Sequence, residues 1–223
     1  MDWIDRFQLF LFDFDGLLVD TERLHYQAYI NMLFARGHEL DCDFASFCEV
    51  AHLNATALKE FLYRKFPDLN PDWPALYAEK KRCYYELITA GKISLMPGVE
   101  ELLAALDNRG VRRCVVTNSP REQIDLIVSR VQPLQSIAHW ICREDYEKPK
   151  PDSECYLKAI AMHGRPGDRI VGFEDSLRGL KALMGTSALP ILISSIESVQ
   201  VPPEVLHFAT FREIQVKKNF SDH

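Results

Sequence analysis

Asp13 and Asp15 stand one residue apart at the end of the apolar run QLFLF (8–12), and Gly16 follows them directly. Residues two apart on a strand point the same way, so both carboxylates would share one small volume, where their repulsion raises one pKa. Such a pair calls for a cation, a shared proton, or both. A hard divalent ion held by one or two carboxylates, water and a substrate phosphate matches the way magnesium is used. With the charge offset, one aspartate is free to act as nucleophile and the other to carry protons. Gly16 lets the backbone turn with no side chain in the way.

Three more segments put reactive side chains where apolar runs stop. Thr117, Asn118 and Ser119 follow RCVVT, and Glu174, Asp175 and Ser176 follow RIVGF. Between these two lies EKPKPD (147–152), with Lys148 and Lys150 each followed by a proline. Each signal has a plain structural alternative. Asp20 or Thr21 caps a following helix as well as it serves chemistry, and Asp175 or Ser176 caps LRGLKAL in the same way. Lys148 alone reads as a surface lysine, although two prolines fixing its loop favour a placed one. A calcium loop is excluded, because the EF-hand pattern wants Gly and Glu where Leu18 and Leu24 stand.

The elements that must position these groups are read from periodicity. Five short apolar runs have the composition of strands buried on both faces: QLFLF (8–12), RCVVT (113–117), AHWIC (138–142), RIVGF (169–173) and LPILIS (189–194). Helical spacing recurs between them, as at Val99, Leu102, Leu103 and Leu106, or at Ile124, Ile127 and Val128. Alternating strand and helix predicts an α/β fold with a doubly wound, Rossmann-like parallel sheet, whose ligands gather at the carboxyl ends of its strands. Residues 21 to 92 carry no strand-like run. They carry helical ones, LHYQAYINMLFARG and LYAEKKRCYYELITAGK, each with a helix-stopping glycine near its end. The expected organisation is a core of residues 1–17 and 94–223 with an all-helical cap, 18–93, inserted in it.

A net charge of −6 argues against nucleic acid or an anionic membrane as the main partner. Six cysteines form no CxxC pair, so buried free thiols in a reducing cytosol are expected rather than a zinc site or a redox dithiol. No apolar stretch has the roughly 18 residues of a membrane span, and the N-terminus is too broken by acids for a signal peptide. A cytoplasmic protein follows.

Taken together, DFDGLLVDTERLH, VVTNS, EKPKPD and VGFEDSLRG resemble, in order and over nearly the whole chain, the motifs of the haloacid dehalogenase superfamily of phosphotransferases. The resemblance is to its helical-cap branch, which includes β-phosphoglucomutase and phosphoglycolate phosphatase. It implies that Asp13 attacks phosphorus to form an aspartyl-phosphate, and that Asp15 protonates the leaving oxygen and then deprotonates water. Asp13, the carbonyl of Asp15, Glu174 and Asp175 would hold Mg2+. Thr117 and the amide of Asn118 would bind the phosphoryl oxygens, while Lys148 offsets charge on Asp13 and the phosphoryl group. A dehalogenase is disfavoured, because the second aspartate belongs to the phosphotransferases of the family. The branch also implies a monomer, and a cap that closes about hinges near 16–21 and 93–98 to exclude water.

Phosphatase and mutase share all these residues, so the cap must separate them. His25 falls where the mutase has a histidine, but many phosphatases have one there too, and a packing histidine is the plain alternative. The expected substrate-facing segment is CEVAHLNATALKEF (48–61). In the mutase this region resembles KGVSRED, whose arginine grips a distal phosphate; here His52, Leu53 and Asn54 stand instead, with no arginine. Loss of a bidentate phosphate clamp favours a phosphatase acting on a small phosphorylated metabolite. His52 and Asn54 are then candidates for substrate recognition, an ordinary cap loop being the alternative, and Arg121 is either a further cation or a solvated helix start. A degenerate, binding-only member would have lost the nucleophile, the lysine or an acid, and none is lost.

Overall fold

A computed structural model describes residues 3–53, 55–69, 72–195, 201–203 and 205–214. In chain order, β1 (Leu9–Phe12) is followed by α1 (Thr21–Phe34), α2 (Phe44–Leu53), α3 (Ala55–Lys65) and α4 (Trp73–Thr89). The chain then runs through α5 (Val99–Asp107), β2 (Arg112–Val116), α6 (Arg121–Val128), β3 (His139–Ile141), α7 (Glu154–His163), β4 (Ile170–Glu174), α8 (Leu177–Met184) and β5 (Leu189–Ile193), ending with β6 (Leu206–Phe208) and α9 (Phe211–Ile214). The six strands form one parallel sheet in the order β3-β2-β1-β4-β5-β6. Each of the five expected strands is present, with ends within a residue of those read from the sequence; β6 was not anticipated.

Contacts divide the chain into two units, Met1–Asp20 with Ser94–His223, and Thr21–Ile93. Residues 18–20 go with the first because Val19 bridges Leu95 and the Asp20 N–H donates to the Ser94 carbonyl at 3.0 Å.

In the sheet unit, the two-residue period of β1 explains why all four of its residues are buried. Leu9 and Leu11 lie in a cluster with Cys114, Val116, Ile141, Tyr156 and Leu183, where α7 packs on β1 and β2, and α8 on β4 and β5. Phe10 and Phe12 stack instead on Phe173, with ring centroids 6.1 and 5.2 Å apart. Full burial of a ring such as Phe173 contributes about 1.5–3 kcal/mol, so this apolar frame holds the strand ends rigidly. Gly16 adopts φ 76° in the turn after β1, where its N–H meets the Val19 carbonyl at 2.9 Å; a β-carbon would be strained there.

In the helical unit, α1 packs against α4, and Arg36 grips Glu79 with two hydrogen bonds of 2.9 and 2.7 Å. Five of the six cysteines are buried, and all six are free thiols. No helix among the described residues is long and apolar enough to cross a membrane.

Candidate active site

Strand alternation carries Asp13 past the end of β1 on the side of Leu9 and Leu11, and its N–H is held by the Phe173 carbonyl at 3.0 Å. Glu174 closes β4, the neighbouring strand, and Asp175 comes next. Asp13, Glu174 and Asp175 each offer an oxygen within 4.8 Å of the others. Asp13 and Glu174 are buried.

The cation that meets these acids is Lys150. Its Nζ lies 2.5 Å from Asp13 Oδ1, 2.7 Å from Glu174 Oε1 and 2.8 Å from the Val116 carbonyl, with the Tyr156 hydroxyl at 3.1 Å. Burial alone would lower the ammonium pKa, but Asp13 and Glu174 raise it well above its ordinary value. Lys148, expected in this role, is exposed. Its backbone N–H, like that of Glu147, donates to the Glu154 carboxylate at the start of α7, which fixes this part of the loop on the helix. Lys150 is therefore the lysine of the acid cluster.

Burial pushes the Glu174 carboxyl up to about 7, with Lys150 opposing and the charge of Asp13 adding to the rise. Oε1 of Glu174 accepts from Lys150 and, at 2.5 Å, from the Tyr156 hydroxyl, while the buried Oε2 has no hydrogen-bond partner among the described residues. A buried carboxylate oxygen left unmatched is costly. Beside two further acids it suits a hard, oxygen-seeking divalent cation, so the donor set fits one such ion.

Asp15 is held by the loop after β2. Ser119 Oγ donates to Asp15 Oδ2 at 2.6 Å and Thr117 Oγ1 to the same oxygen at 3.2 Å. The Ser119 N–H donates in turn to Thr117 Oγ1 at 2.9 Å, so the two hydroxyls form one unit. Asn118 uses its side chain as a tie: its Oδ1 accepts from the Tyr146 hydroxyl at 2.6 Å and from the Lys150 N–H at 3.3 Å. Arg121 is bound to Asp145 at 2.8 Å and to the Trp140 carbonyl at 3.2 Å, an anchor for the start of α6 rather than a solvated helix start. Ser176 caps α8, its Oγ accepting from the Gly179 N–H at 3.2 Å.

The haloacid dehalogenase-like hydrolase family matches residues 7–184, which span every one of these groups. The chain belongs to this family. Among its relatives in the family, the CbbY protein of Rhodobacter capsulatus is 30% identical over 196 residues, covering 83% of this chain and 84% of its own. A probable pseudouridine-5'-phosphatase of Drosophila melanogaster is 31% identical over 179 residues, covering 77% and 75%. The crystal structure of a putative β-phosphoglucomutase from Thermotoga maritima superposes with a TM-score of 0.74 over 93% of this chain and 96% of that one; at 20% identity this likeness concerns the fold alone. This haloacid dehalogenase-like hydrolase holds Asp13, Glu174 and Asp175 at the carboxyl ends of β1 and β4, where a parallel sheet gathers its ligands.

The helical unit of this hydrolase contains a second polar cluster. His25 on α1 stacks on Tyr84 with centroids 4.4 Å apart, and its Nδ1 lies 2.7 Å from Lys80 Nζ on α4. Lys80 is only 4% exposed and sits among the rings of Tyr29, Tyr77 and Tyr84, 5.1–5.6 Å from their centroids. Burial, then the charge of Lys80, lower the His25 pKa to about 3, so the ring is neutral and Nδ1 accepts. Burial lowers the Lys80 pKa to about 8. His52 lies in α2 and Glu49 of the same helix is exposed; Asn54 is outside the described residues. The expected substrate-facing segment thus runs mostly through α2 and α3.

Lys80 gives a stability prediction. Its folded pKa of about 8 lies below its ordinary 10.5, so the folded state resists its proton and stability is lost as pH falls from 10.5 through 8. Lys80→Met is expected to stabilise the protein by about 1–3 kcal/mol at pH 7. That gain should fade above pH 8 as the wild-type amine becomes neutral, and chemical denaturation at pH 7 and pH 10 checks both points.

Proposed function

We propose that this hydrolase is a magnesium-dependent phosphatase that cleaves a small phosphorylated metabolite, a sugar phosphate or similar, through an aspartyl-phosphate. The observation that carries this reading is Lys150 bridging the buried Asp13 and Glu174 in a cluster of three acids. An ammonium on Asp13 offsets the charge of an arriving phosphoryl group, the need of a reaction governed by positioning and electrostatics.

An Asp13 oxygen forms the bond to phosphorus while the ester bond breaks, and Asp15 gives a proton to the leaving oxygen. Water then attacks phosphorus, loses its proton to Asp15, and the phosphate leaves Asp13. Ser119 keeps the Asp15 carboxylate in one orientation through both steps. Thr117 and the amide of Asn118 bind the phosphoryl oxygens. Asp13, the Asp15 carbonyl, Glu174 and Asp175 hold Mg2+, which when bound neutralises charge on the phosphoryl oxygens. In the helical unit His25, with His52 and Asn54, supplies recognition of the rest of the substrate.

A phosphatase is favoured over a sugar phosphomutase because residues 48–61 contain no arginine to clamp a second phosphate, and because a relative is named as a phosphatase. We assign the enzyme to the cytoplasm as a monomer, with no nucleic-acid or membrane partner.

Phosphate release from a panel of phosphorylated sugars, phosphoglycolate and nucleotides tests the proposal. Turnover should vanish in EDTA and return with Mg2+, and Asp175→Asn should weaken apparent Mg2+ affinity by about 10–100-fold. Full turnover in EDTA, or none on any ester, would sink it. With β-glucose 1-phosphate and a trace of the bisphosphate, glucose 6-phosphate as product would establish the mutase instead.

A further inference from the structure

Tyr156 enters neither step of the proposed reaction, yet it is fully buried beside Glu174 and Lys150. It lies in the first turn of α7, its ring within the apolar cluster of Leu9, Leu11, Cys114 and Val116. Its hydroxyl donates to Glu174 Oε1 at 2.5 Å and lies 3.1 Å from Lys150 Nζ, which itself stands 4.8 Å from the ring centroid. Gly179, in the first turn of α8, backs the same carboxylate. A β-carbon there would overlap the Glu174 carboxyl carbon and both of its oxygens, so only glycine leaves room for the acid.

Glu174 is therefore clamped. One oxygen is committed to Lys150 and Tyr156, the α8 backbone at Gly179 lies against the carboxylate, and the buried Oε2 has no hydrogen bond among the described residues, in a group whose other members are Asp13 and Asp175. A carboxylate turns easily about its last bond, so a single ammonium does not set its plane. A second donor on the same oxygen does.

We propose that Tyr156, seated against Gly179 across the Glu174 carboxylate, is a positioning residue for the divalent-cation site: its hydroxyl fixes the plane of Glu174 so that Oε2 is presented to the cation. This rests on the cation site proposed above. The hydroxyl bonds neither the cation nor the substrate, and acts only through Glu174. Removing partners that orient a ligand typically weakens metal affinity 10–100-fold, whereas a purely space-filling ring would be replaced by phenylalanine at no cost to the metal.

The test is a thermodynamic cycle on the full chain without substrate, with Mn2+ as spin probe and its affinity read by electron paramagnetic resonance for wild type, Tyr156→Phe, Glu174→Gln and the double variant. Thermal melts accompany each. Tyr156→Phe keeps the ring and should remain folded, with Mn2+ affinity about tenfold weaker, while in the Glu174→Gln background it should add less than about twofold. In turnover the loss should appear as a higher Mg2+ requirement, with kcat recovered at saturating Mg2+. Unchanged Mn2+ affinity in folded Tyr156→Phe, or an equal loss in the Glu174→Gln background, would overturn the inference. If wild type itself bound no Mn2+, the cation site would fall as well, which separates failure of the parent reading from failure of this one.

Discussion

Lys150→Met is expected to lower kcat by on the order of 10³-fold, the scale seen when one group aimed at transition-state charge is removed. Lys148→Met should leave kcat and KM within about twofold, as surface substitutions do. The contrast follows from the side chains' surroundings. Lys150 donates to Asp13, Glu174 and the Val116 carbonyl in a buried site, while Lys148 is exposed. Without the ammonium, Asp13 and Glu174 face each other with no counter-charge, and breaking a buried ion pair from one side costs about 3–5 kcal/mol. Lys150→Met should therefore also melt earlier, and added Mg2+ should recover part of that loss. Steady-state kinetics and melts on both variants check the assignment. If Lys148→Met were the crippled enzyme, the site as described would be wrong.

Asp13→Asn should be more damaging still, with turnover reduced by about 10⁴-fold or more, because the change removes the nucleophile while keeping its shape. The amide also takes one charge away from Lys150 and from the cation cluster. Stability should change little: the lost ion pair is offset by relief of the repulsion between Asp13 and Glu174, which also helps raise the Glu174 pKa. A substrate analogue should still bind to a folded Asp13→Asn protein. Retention of more than about 1% of wild-type turnover would show that another group attacks phosphorus.

Most of the sheet was legible because strands buried on both faces must be continuously apolar, and five such runs stand out. β6 was not. It is three residues long, contains His207 and is only partly buried at the sheet edge, so it lacks the apolar run that marks the others. The acids were legible because they interrupt apolar runs at two strand ends. The lysine was placed at Lys148 where the structure has Lys150, since both precede proline. What separates them is how far each lies from α7, whose Glu154 captures the amides of Glu147 and Lys148 and leaves Lys150 to reach Asp13. The number of residues between each lysine and the helix start was the one signal available.

Groups that act through partners distant in sequence were beyond reach. Tyr156 appears in the sequence as one apolar position of α7, and nothing local tells that its hydroxyl will meet Glu174 across 18 residues. Tyr146 is likewise 28 residues from the Asn118 it holds. His25 could be singled out, but its partner Lys80 lies 55 residues away within an ordinary charged helical stretch. Burial turned that lysine from a surface charge into the partner of His25, and burial of a charged residue is what helical periodicity argues against.

Borohydride quenching during steady-state turnover reports most directly on Asp13 as the group that carries phosphate. Borohydride reduces an acyl phosphate to an alcohol, so peptide mass spectrometry should find homoserine at position 13, only when substrate and Mg2+ are both present. An intact Asp13 in enzyme quenched while turning over, or reduction at Asp15 or Glu174 in its place, would contradict the aspartyl-phosphate at Asp13.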